Sequence, residues 1–151
     1  MDPLSFTASL IAVIEISGKV VLYLDNVKNA SKERAICAME ISNLYSLLVS
    51  LKYHLEDSAN REWNAAVRSL AIENGPLDQF KQGLEMLQSS LTDGGRLKRI
   101  QDAFLWKFKK EEVNDLLGRI ERLKTLVEIA LQKDHLYVLL QESKLRGLPS
   151  Q

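Results

Sequence analysis

Few residues of this sequence carry side chains that bind metals or act as nucleophiles. Among 151 residues there are two histidines, His54 and His135, and one cysteine, Cys37. Their separations fit no zinc-binding pattern. Cys37 lies among regularly spaced apolar residues, where a thiol behaves as a small hydrophobic side chain. The sequence therefore predicts no metal site, two structural histidines and a buried, unreactive thiol.

Acidic pairs and glycines also lack the arrangement that catalysis needs. Glu56-Asp57 and Glu111-Glu112 are neighbours in sequence, so in a helix the two side chains of each pair are expected to point to different faces. Gly94-Gly95 is not followed by the residues of a phosphate-binding loop. We expect no enzyme activity, no cofactor and no small-molecule substrate.

Charge and cysteine content narrow the class of protein further. Twenty basic residues balance twenty acidic ones, which gives the chain no general attraction to nucleic acid. A single cysteine excludes an internal disulfide and is typical of a reducing cytosol. Asp2 stands where a secretory signal would carry basic residues. We therefore expect a cytoplasmic protein.

Positive charge is concentrated in one stretch near the middle of the chain. Its basic residues, which stand against Asp102 alone, are Arg96, Lys98, Arg99, Lys107, Lys109 and Lys110. Aromatic residues are interleaved with them. Such a run is most often a solvated face whose aromatic side chains point into the core. The functional alternative is contact with anionic lipid, worth about 1 kcal/mol per Lys or Arg near a membrane surface.

The most apolar stretch is the N-terminal one, up to Leu24. Between Pro3 and Leu24 only Glu15 and Lys19 are charged. Apolar residues recur at helical spacing on one side, and the other side, with Leu4, Ile11 and Leu22, is not cleanly polar. The stripe consists of Phe6, Leu10, Val13, Val20, Leu24 and Val27, with Ile16 and Val21 beside it. A helix of this kind is buried either by other helices or in lipid.

Length and composition place this helix near the limit for crossing a bilayer, which takes about 20 apolar residues. Its eleven Leu, Ile, Val and Phe residues contribute roughly −3 to −7 kcal/mol on an insertion scale. Glu15 and Lys19 would each cost about 2.5 to 3.5 kcal/mol at the bilayer centre, partly offset if they pair. One copy would not insert firmly, whereas several copies with inward-facing charges could. These residues alone favour the simpler interpretation, a very apolar core helix.

The rest of the chain repeats the pattern of core-facing helices, with gaps of three and four between apolar residues. The stripes are Cys37, Ile41, Leu44, Leu48, Leu51, Leu55; Trp63, Val67, Leu70; Leu77, Phe80, Leu84, Leu87, Leu91; Leu97, Ile100, Phe104, Phe108; and Leu116, Ile120, Leu123, Val127, Ala130. No stretch alternates as a strand would. The sequence predicts an all-α, up-and-down antiparallel bundle of four to six helices.

Helix ends and domain limits are also predicted from local signals. Asp2 should cap a first helix that starts at Pro3 and runs to about Lys28. Asn74-Gly75-Pro76 and Asp93-Gly94-Gly95 should break the chain, and the last helix should run from Lys110 to about Gln141. We expect one domain over residues 1–145 and the start of a linker to further domains over 146–151.

Three stretches resemble the N-terminal domain of fungal STAND proteins, which are NLR-like receptors, in the HeLo-like family. They are MDPLSFTASLIAVIEI at the start, NGPLDQFKQGLEMLQSSL from Asn74 to Leu91, and the segment from Leu97 to Leu136. The resemblance covers about residues 1–140, and the opening MDPLS and the NGPL turn are its more specific marks. Lys107 departs from the family, which has proline between Trp106 and Phe108.

The resemblance implies a helical bundle at the front of a multidomain sensor that executes regulated cell death at the plasma membrane. Related architectures are the four-helix bundle of the necroptosis pseudokinase and the coiled-coil domain of plant resistance receptors. It implies self-association on activation and contact with downstream receptor domains and membrane lipids. The membrane-targeting role would fall on Leu4, Phe6, Leu10, Ile11, Val13, Ile14, Val20, Val21 and Leu24, with Glu15 and Lys19 as the charges among them.

Two functions of different class follow from these observations. In the first, clustering by a downstream receptor releases the N-terminal helix into a membrane and permeabilises it. In the second, the domain is a non-lytic interaction or oligomerisation module that binds a partner helix in an apolar groove. An autoinhibitory cap over the downstream receptor is a third interpretation that the sequence does not separate from these.

Overall fold

The computed structural model describes residues 3–25, 32–57, 65–92 and 110–147, and these residues form an all-α bundle. Their helices are α1 (Pro3–Asp25), α2 (Lys32–Asp57), α3 (Ala65–Leu70), α4 (Pro76–Thr92) and α5 (Lys110–Leu145). The predicted fold class is confirmed.

Four of these helices form a ring. Helix α1 packs against α2 and α4, while α5 packs against α2 and α4 from the other side, and the short α3 lies on α5. The order around the ring is therefore α1, α2, α5, α4. Because each long helix has two neighbours, each needs an apolar stripe wide enough to meet both.

Two pairs of neighbours run antiparallel. In the α1/α2 pair, Gly18 lies beside Tyr45, whereas Leu24 and Asp25 lie beside Ala38 and Met39. In the α4/α5 pair, Arg119 and Arg122 donate hydrogen bonds to Gln79, whereas Met86, further along α4, lies with Glu111 and Glu112. The partner's residue numbers fall as the numbers of the first helix rise, as expected in an up-and-down bundle.

The predicted core stripes are confirmed over the described residues. Cys37, Ile41, Leu44 and Leu48 of α2 have no exposed surface, and Leu51 is 2% exposed. The stripe predicted for α4 is buried from Leu77 to Leu87, and that of α5 is buried from Leu116 to Ala130. Leu55 departs from the prediction only in degree, since it is half-buried against the edge of the core.

The turn between α3 and α4 is built by the predicted breaker Asn74-Gly75-Pro76. Asn74 adopts a left-handed conformation with φ 58°, which asparagine tolerates better than most residues. Its N–H donates to Asp78 Oδ2 at 2.8 Å, which joins the turn to the first turn of α4. A Cβ on Gly75 would lie 2.8 Å from the carbonyl oxygen of Ile72, which explains glycine at this position.

Helices α4 and α5 approach each other closely at Gly83. A Cβ added to Gly83 would lie 2.9 Å from Leu116 Cδ1, closer than packed carbon atoms come. One turn away, Arg119 Nη1 donates to the backbone oxygen of Gln79 at 2.8 Å and its Nε lies 3.0 Å from Asp115 Oδ2. The α4/α5 pair is thus joined by both close packing and polar contacts.

The start of α1 agrees with the prediction, whereas the end of α5 lies beyond it. Helix α1 begins at Pro3, while α5 continues to Leu145, four residues beyond the predicted Gln141. Gly147 follows in a left-handed conformation with φ 67°, the usual residue type after a helix end. The predicted break at 93–95, the cap at Asp2, Trp63 and the stripe from Leu97 to Phe108 lie outside the described residues.

Candidate functional site

Helix α1 supplies one wall of the core. Phe6, Leu10, Val13 and Val20 have no exposed surface, and Leu24 is 2% exposed. Their contacts are with the neighbouring helices α2 and α4. These five predicted membrane-targeting residues are therefore core residues in this conformation.

Ser17 completes that stripe, although the sequence pattern did not predict it there. It lies between Val13 and Val20 at core spacing and has no exposed surface. Its hydroxyl donates to the backbone oxygen of Val13 at 2.7 Å, within α1 itself. The signal that could have found it was its register, four residues after Val13 and three before Val20. The polarity of serine concealed that position.

The remaining residues predicted for membrane targeting are divided between the edge of the core and the surface. Ile14 and Val21 are half-buried against the core, whereas Ile11 is 37% exposed. Glu15 and Lys19 are exposed. The side chain of Leu4 lies outside the described residues. Leu22, 64% exposed, joins Ile11 on the outer side of α1.

A groove of about 340 Å³ runs between α1 and α2 at one end of the bundle. It is lined by Val21, Leu24, Asp25, Ala35, Ala38, Met39 and Ser42. Met39 is 55% exposed, and Tyr45, further along α2, is 38% exposed. The outer side of the α1/α2 pair therefore carries exposed apolar side chains among polar and charged ones.

Two helices of the described chain are long and apolar enough to cross a membrane. The first spans Ser5–Asp25 with mean hydropathy 1.6, and the second spans Lys32–Glu56 with mean hydropathy 1.2. Length and composition alone support this statement, and the core helices of soluble bundles can pass the same test. Residue types along the chain predicted the first of these two helices and not the second, because α2 contains more charged residues near its ends.

Helix α2 buries two chemically distinctive side chains near its N-terminus. Cys37 has no exposed surface, and burial, assisted by the negative charge of Glu33, raises the pKa of its thiol to about 11. Arg34 is 2% exposed, and burial lowers the pKa of its guanidinium. The prediction of a buried Cys37 is confirmed, and at neutral pH this thiol is protonated and therefore a poor nucleophile.

Of the two histidines, only His54 has a side chain among the described residues. His54 lies on α2 with Nδ1 2.7 Å from the backbone oxygen of Ser50, one turn earlier. Among the described residues no group of three or more His, Cys, Asp or Glu side chains could hold a metal ion. The side chain of His135 lies outside the described residues.

A second groove, of about 260 Å³, lies between α4 and α5. Its lining combines apolar and charged side chains: Gly83, Met86, Glu111, Glu112, Asp115, Leu116 and Arg119. Glu111 and Glu112, in the first turn of α5, both border it. Two successive side chains on different sides of a helix can flank one opening.

Of the predicted anionic-lipid contact, only Lys110 belongs to the described chain. It is exposed at the first residue of α5. Arg96, Lys98, Arg99, Lys107 and Lys109 lie outside the described residues. Lys110 is followed directly by Glu111 and Glu112, so the start of α5 itself is acidic rather than basic.

Comparisons with known proteins return no relative of this chain: no family model, no curated protein and no solved structure matches it.

Proposed function

We propose that this chain is the N-terminal effector domain of a fungal NLR-like receptor, which induces regulated cell death by inserting α1 into membranes after oligomerisation. In this proposal the folded bundle is cytoplasmic, and clustered copies act at the plasma membrane. The observation that carries it is the character of α1. The inner side of this helix is part of the core, and its outer side is partly apolar. Within residues 5–25, no buried polar side chain of α1 needs a hydrogen-bond partner on another helix.

The inner side of α1 keeps the helix folded against the bundle in water. Burial of a Leu, Val or Phe side chain is worth about 1.5 to 3 kcal/mol. For Phe6, Leu10, Val13, Val20 and Leu24 this amounts to roughly 8 to 15 kcal/mol, all of it lost if α1 enters water alone. In a bilayer these side chains are again surrounded by apolar groups, so most of that free energy is regained. Transfer of α1 from the core to lipid is therefore far less unfavourable than transfer to water.

Ser17 does not oppose this transfer. A hydroxyl that loses its hydrogen-bond partner in an apolar medium costs several kcal/mol. Ser17 Oγ donates to Val13 O within the same helix, at 2.7 Å, and so keeps its partner wherever α1 goes. The one buried polar side chain on the described part of α1 is therefore compatible with lipid.

Glu15 and Lys19 explain why clustering would be required. Both are exposed in the folded bundle, where water solvates their charges. In the centre of a bilayer each would cost about 2.5 to 3.5 kcal/mol. Several copies of α1 can turn these charges toward a shared aqueous lumen, whereas one copy cannot. A downstream receptor that assembles copies would supply this condition.

A leakage assay with matched substitutions tests the proposal. Ile11 on α1 and Ile129 on α5 are both isoleucine and both 37% exposed, so glutamate at either position should perturb the fold about equally. We expect copies held together by a fused trimeric coiled coil to release dye from vesicles of phosphatidylcholine and phosphatidylserine. Ile11→Glu should abolish this release, since it adds about 3 kcal/mol to insertion, whereas Ile129→Glu should not.

The opposite pattern would refute the proposal. If forced trimers leave the vesicles intact, or if Ile11→Glu and Ile129→Glu leak equally, α1 is not the membrane-active element. Circular dichroism of both variants provides the control for folding.

The second candidate function is a non-lytic interaction or oligomerisation module. It is favoured by the exposed apolar side chains of Met39, Tyr45 and Leu22 beside the α1/α2 groove. Sedimentation with the same vesicles separates the two functions. A module that binds only proteins would stay in the supernatant, and α1 would remain as sensitive to protease with vesicles as without them.

A further inference from the structure

The outer side of α1 has a symmetric pattern of residues. Ile11 and Leu22 are exposed toward its two ends, and Glu15 and Gly18 lie between them at spacings of a single helix face. Ile11 and Leu22 are equally far from the midpoint between residues 16 and 17. Glu15 and Gly18 are also equally far from that midpoint.

The pattern extends one turn further at each end of the helix. Ala8 and Asp25 are both exposed and are again equally far from the same midpoint. A methyl group at one end is thus matched with a carboxylate at the other. No charge is therefore matched with a like charge along this face.

Such a pattern is self-complementary in an antiparallel pair. When two identical helices pack antiparallel across a two-fold axis, residues equidistant from the midpoint face each other, and every contact occurs twice. Ile11 then meets Leu22 of the second copy, and Glu15 lies over Gly18, which has no side chain of its own and is bordered by the ring of Tyr45. The carboxylate of Glu15 comes within reach of Lys19 of the second copy.

We propose that this outer face is a homodimer interface of the folded chain. Lys19 lies at its edge, and its other members are Ala8, Ile11, Glu15, Gly18, Leu22 and Asp25. The occupant is a second copy because the face offers apolar residues at matching ends and opposite charges near its centre. A parallel pair would instead place Glu15 against Glu15 and Lys19 against Lys19, which repel.

Helix α2 widens the same face. Tyr45 Cε2 lies 3.6 Å from where a Cβ on Gly18 would stand, and Met39 lies beyond it along the α1/α2 groove. The 21 residues from Ser5 to Asp25 span about 30 Å. Two neighbouring helices make a face roughly 20 Å wide, or about 600 Å² per copy, somewhat below the ~800 Å² per partner of a standard interface. We therefore expect a weak dimer that forms with increasing concentration.

This inference does not depend on the proposed membrane function. It concerns the folded chain in solution, with α1 in the core, and sedimentation reports it whether or not vesicles leak. A dimer without leakage would leave the inference standing and the proposed function refuted, and leakage without a dimer would do the reverse.

A charge-reversal experiment tests the interface. Sedimentation velocity of the 151-residue chain should show a concentration-dependent dimer. Glu15→Lys places only positive charge at the centre of the face and Lys19→Glu only negative charge, so each variant alone should dissociate about tenfold more readily. Mixed in equal amounts, the two variants should associate with each other, and a chain carrying both changes should again form a dimer by itself.

Loss of the fold cannot produce that mixing result, because each variant alone dimerises more weakly than the native chain and regains association only with the other variant. Met86→Glu on α4, at a position 58% exposed and outside this face, is the control and should leave the dimer unchanged. The inference is overturned if the native chain is a monomer throughout, or if the two charge variants fail to associate when mixed.

Discussion

Helices α1 and α5 contribute equivalent inner stripes to one core and differ on the outside. Each presents six buried positions at gaps of three and four: Phe6, Leu10, Val13, Ser17, Val20 and Leu24 on α1, and Val113, Leu116, Ile120, Leu123, Val127 and Ala130 on α5. Only three of the 23 residues of α1 are charged, against thirteen of 36 in α5. The outer side of α5 is therefore densely charged and exposed to water in the bundle.

Each helix has two separate properties: how strongly it is held in the bundle, and which other environment it can enter. The inner stripe decides how strongly a helix is held in the bundle, and it is similar for α1 and α5. The outer face decides which other environment the helix can enter, and of these two helices α1 alone is suited to lipid or to a second apolar face. Neither property can be read from the other.

The largest expected effect comes from placing a charge in the shared core. Leu10→Glu on α1 and Leu123→Glu on α5 each bury a carboxylate among apolar side chains and should cost several kcal/mol of unfolding free energy. Urea denaturation measures this, and Leu10→Glu should also abolish leakage. Leu22→Glu, at a position 64% exposed, is the control and should change stability by less than about 0.5 kcal/mol. Equal effects of Leu10→Glu and Leu22→Glu would mean that α1 is not a core helix.

The proposed function requires α1 to leave the bundle, so tethering α1 to α2 should abolish leakage without altering the core stripe. Cysteines at Val21 and Ser42, which line the same groove, can be joined by a short bismaleimide. The joined chain should cause no leakage as a forced trimer, whereas either cysteine alone with the same reagent should leave leakage intact. Cys37 does not compete for the reagent, because its thiol is buried and protonated. Leakage by the joined chain would show that α1 does not leave the bundle.

Substitutions at two glycines, Gly83 on α4 and Gly118 on α5, should change the stability of the chain in opposite directions. Gly83→Val forces side-chain atoms into the space held by Leu116, and overpacking of this kind costs about 1 to 3 kcal/mol. Gly118→Ala meets nothing within 4 Å and should stabilise the chain by about 0.5 to 1 kcal/mol through helix propensity. Thermal denaturation measures both. A stabilising Gly83→Val would mean that α4 and α5 lie further apart than the contact between Gly83 and Leu116 implies.

The effect confined to the narrowest conditions, above pH 9, is a pH dependence from Cys37. Its pKa is raised from 9.0 to about 11 in the folded chain, so between these values the folded chain retains a proton that the unfolded chain has lost. The stability linked to this proton is fully present below pH 9 and is lost as the pH rises toward about 11. The unfolding free energy of the native chain should therefore fall more steeply over that range than that of Cys37→Ala. Parallel curves would show that the thiol is accessible to solvent.

The sequence was sufficient to predict most core positions. Leu44, Phe80 and Ile120 were placed by helical periodicity alone, because the side of a helix on which a residue lies follows from its position along the chain. The breaker at Asn74-Gly75-Pro76 was equally predictable, because it depends on the backbone preferences of those residues. The absence of alternating segments indicated an all-α fold for the same reason.

The sequence was less informative where a property depends on neighbouring helices. Ser17 was missed because residue type suggested a surface position, while its register and a hydrogen bond to its own helix made it a core residue. The spacing of Glu111 and Glu112 predicted that they lie on different faces of a helix, but it did not predict the groove beside α4 that both of them border. Their surroundings depend on which helix packs nearby, and that is not a local property.

The amino-acid sequence by itself determined that the chain forms helices, which side of most helices faces the core, and that the first helix is unusually apolar. These properties follow from spacing and residue type within a few turns of chain. Only the tertiary structure decided the order of helices around the ring, the close approach at Gly83, and which apolar residues of α1 remain at the surface. Ile11 and Leu22 are exposed because no other described helix packs over that side of α1. Whether one helix covers the side of another depends on how segments distant in sequence pack together. It therefore cannot be predicted from either segment alone.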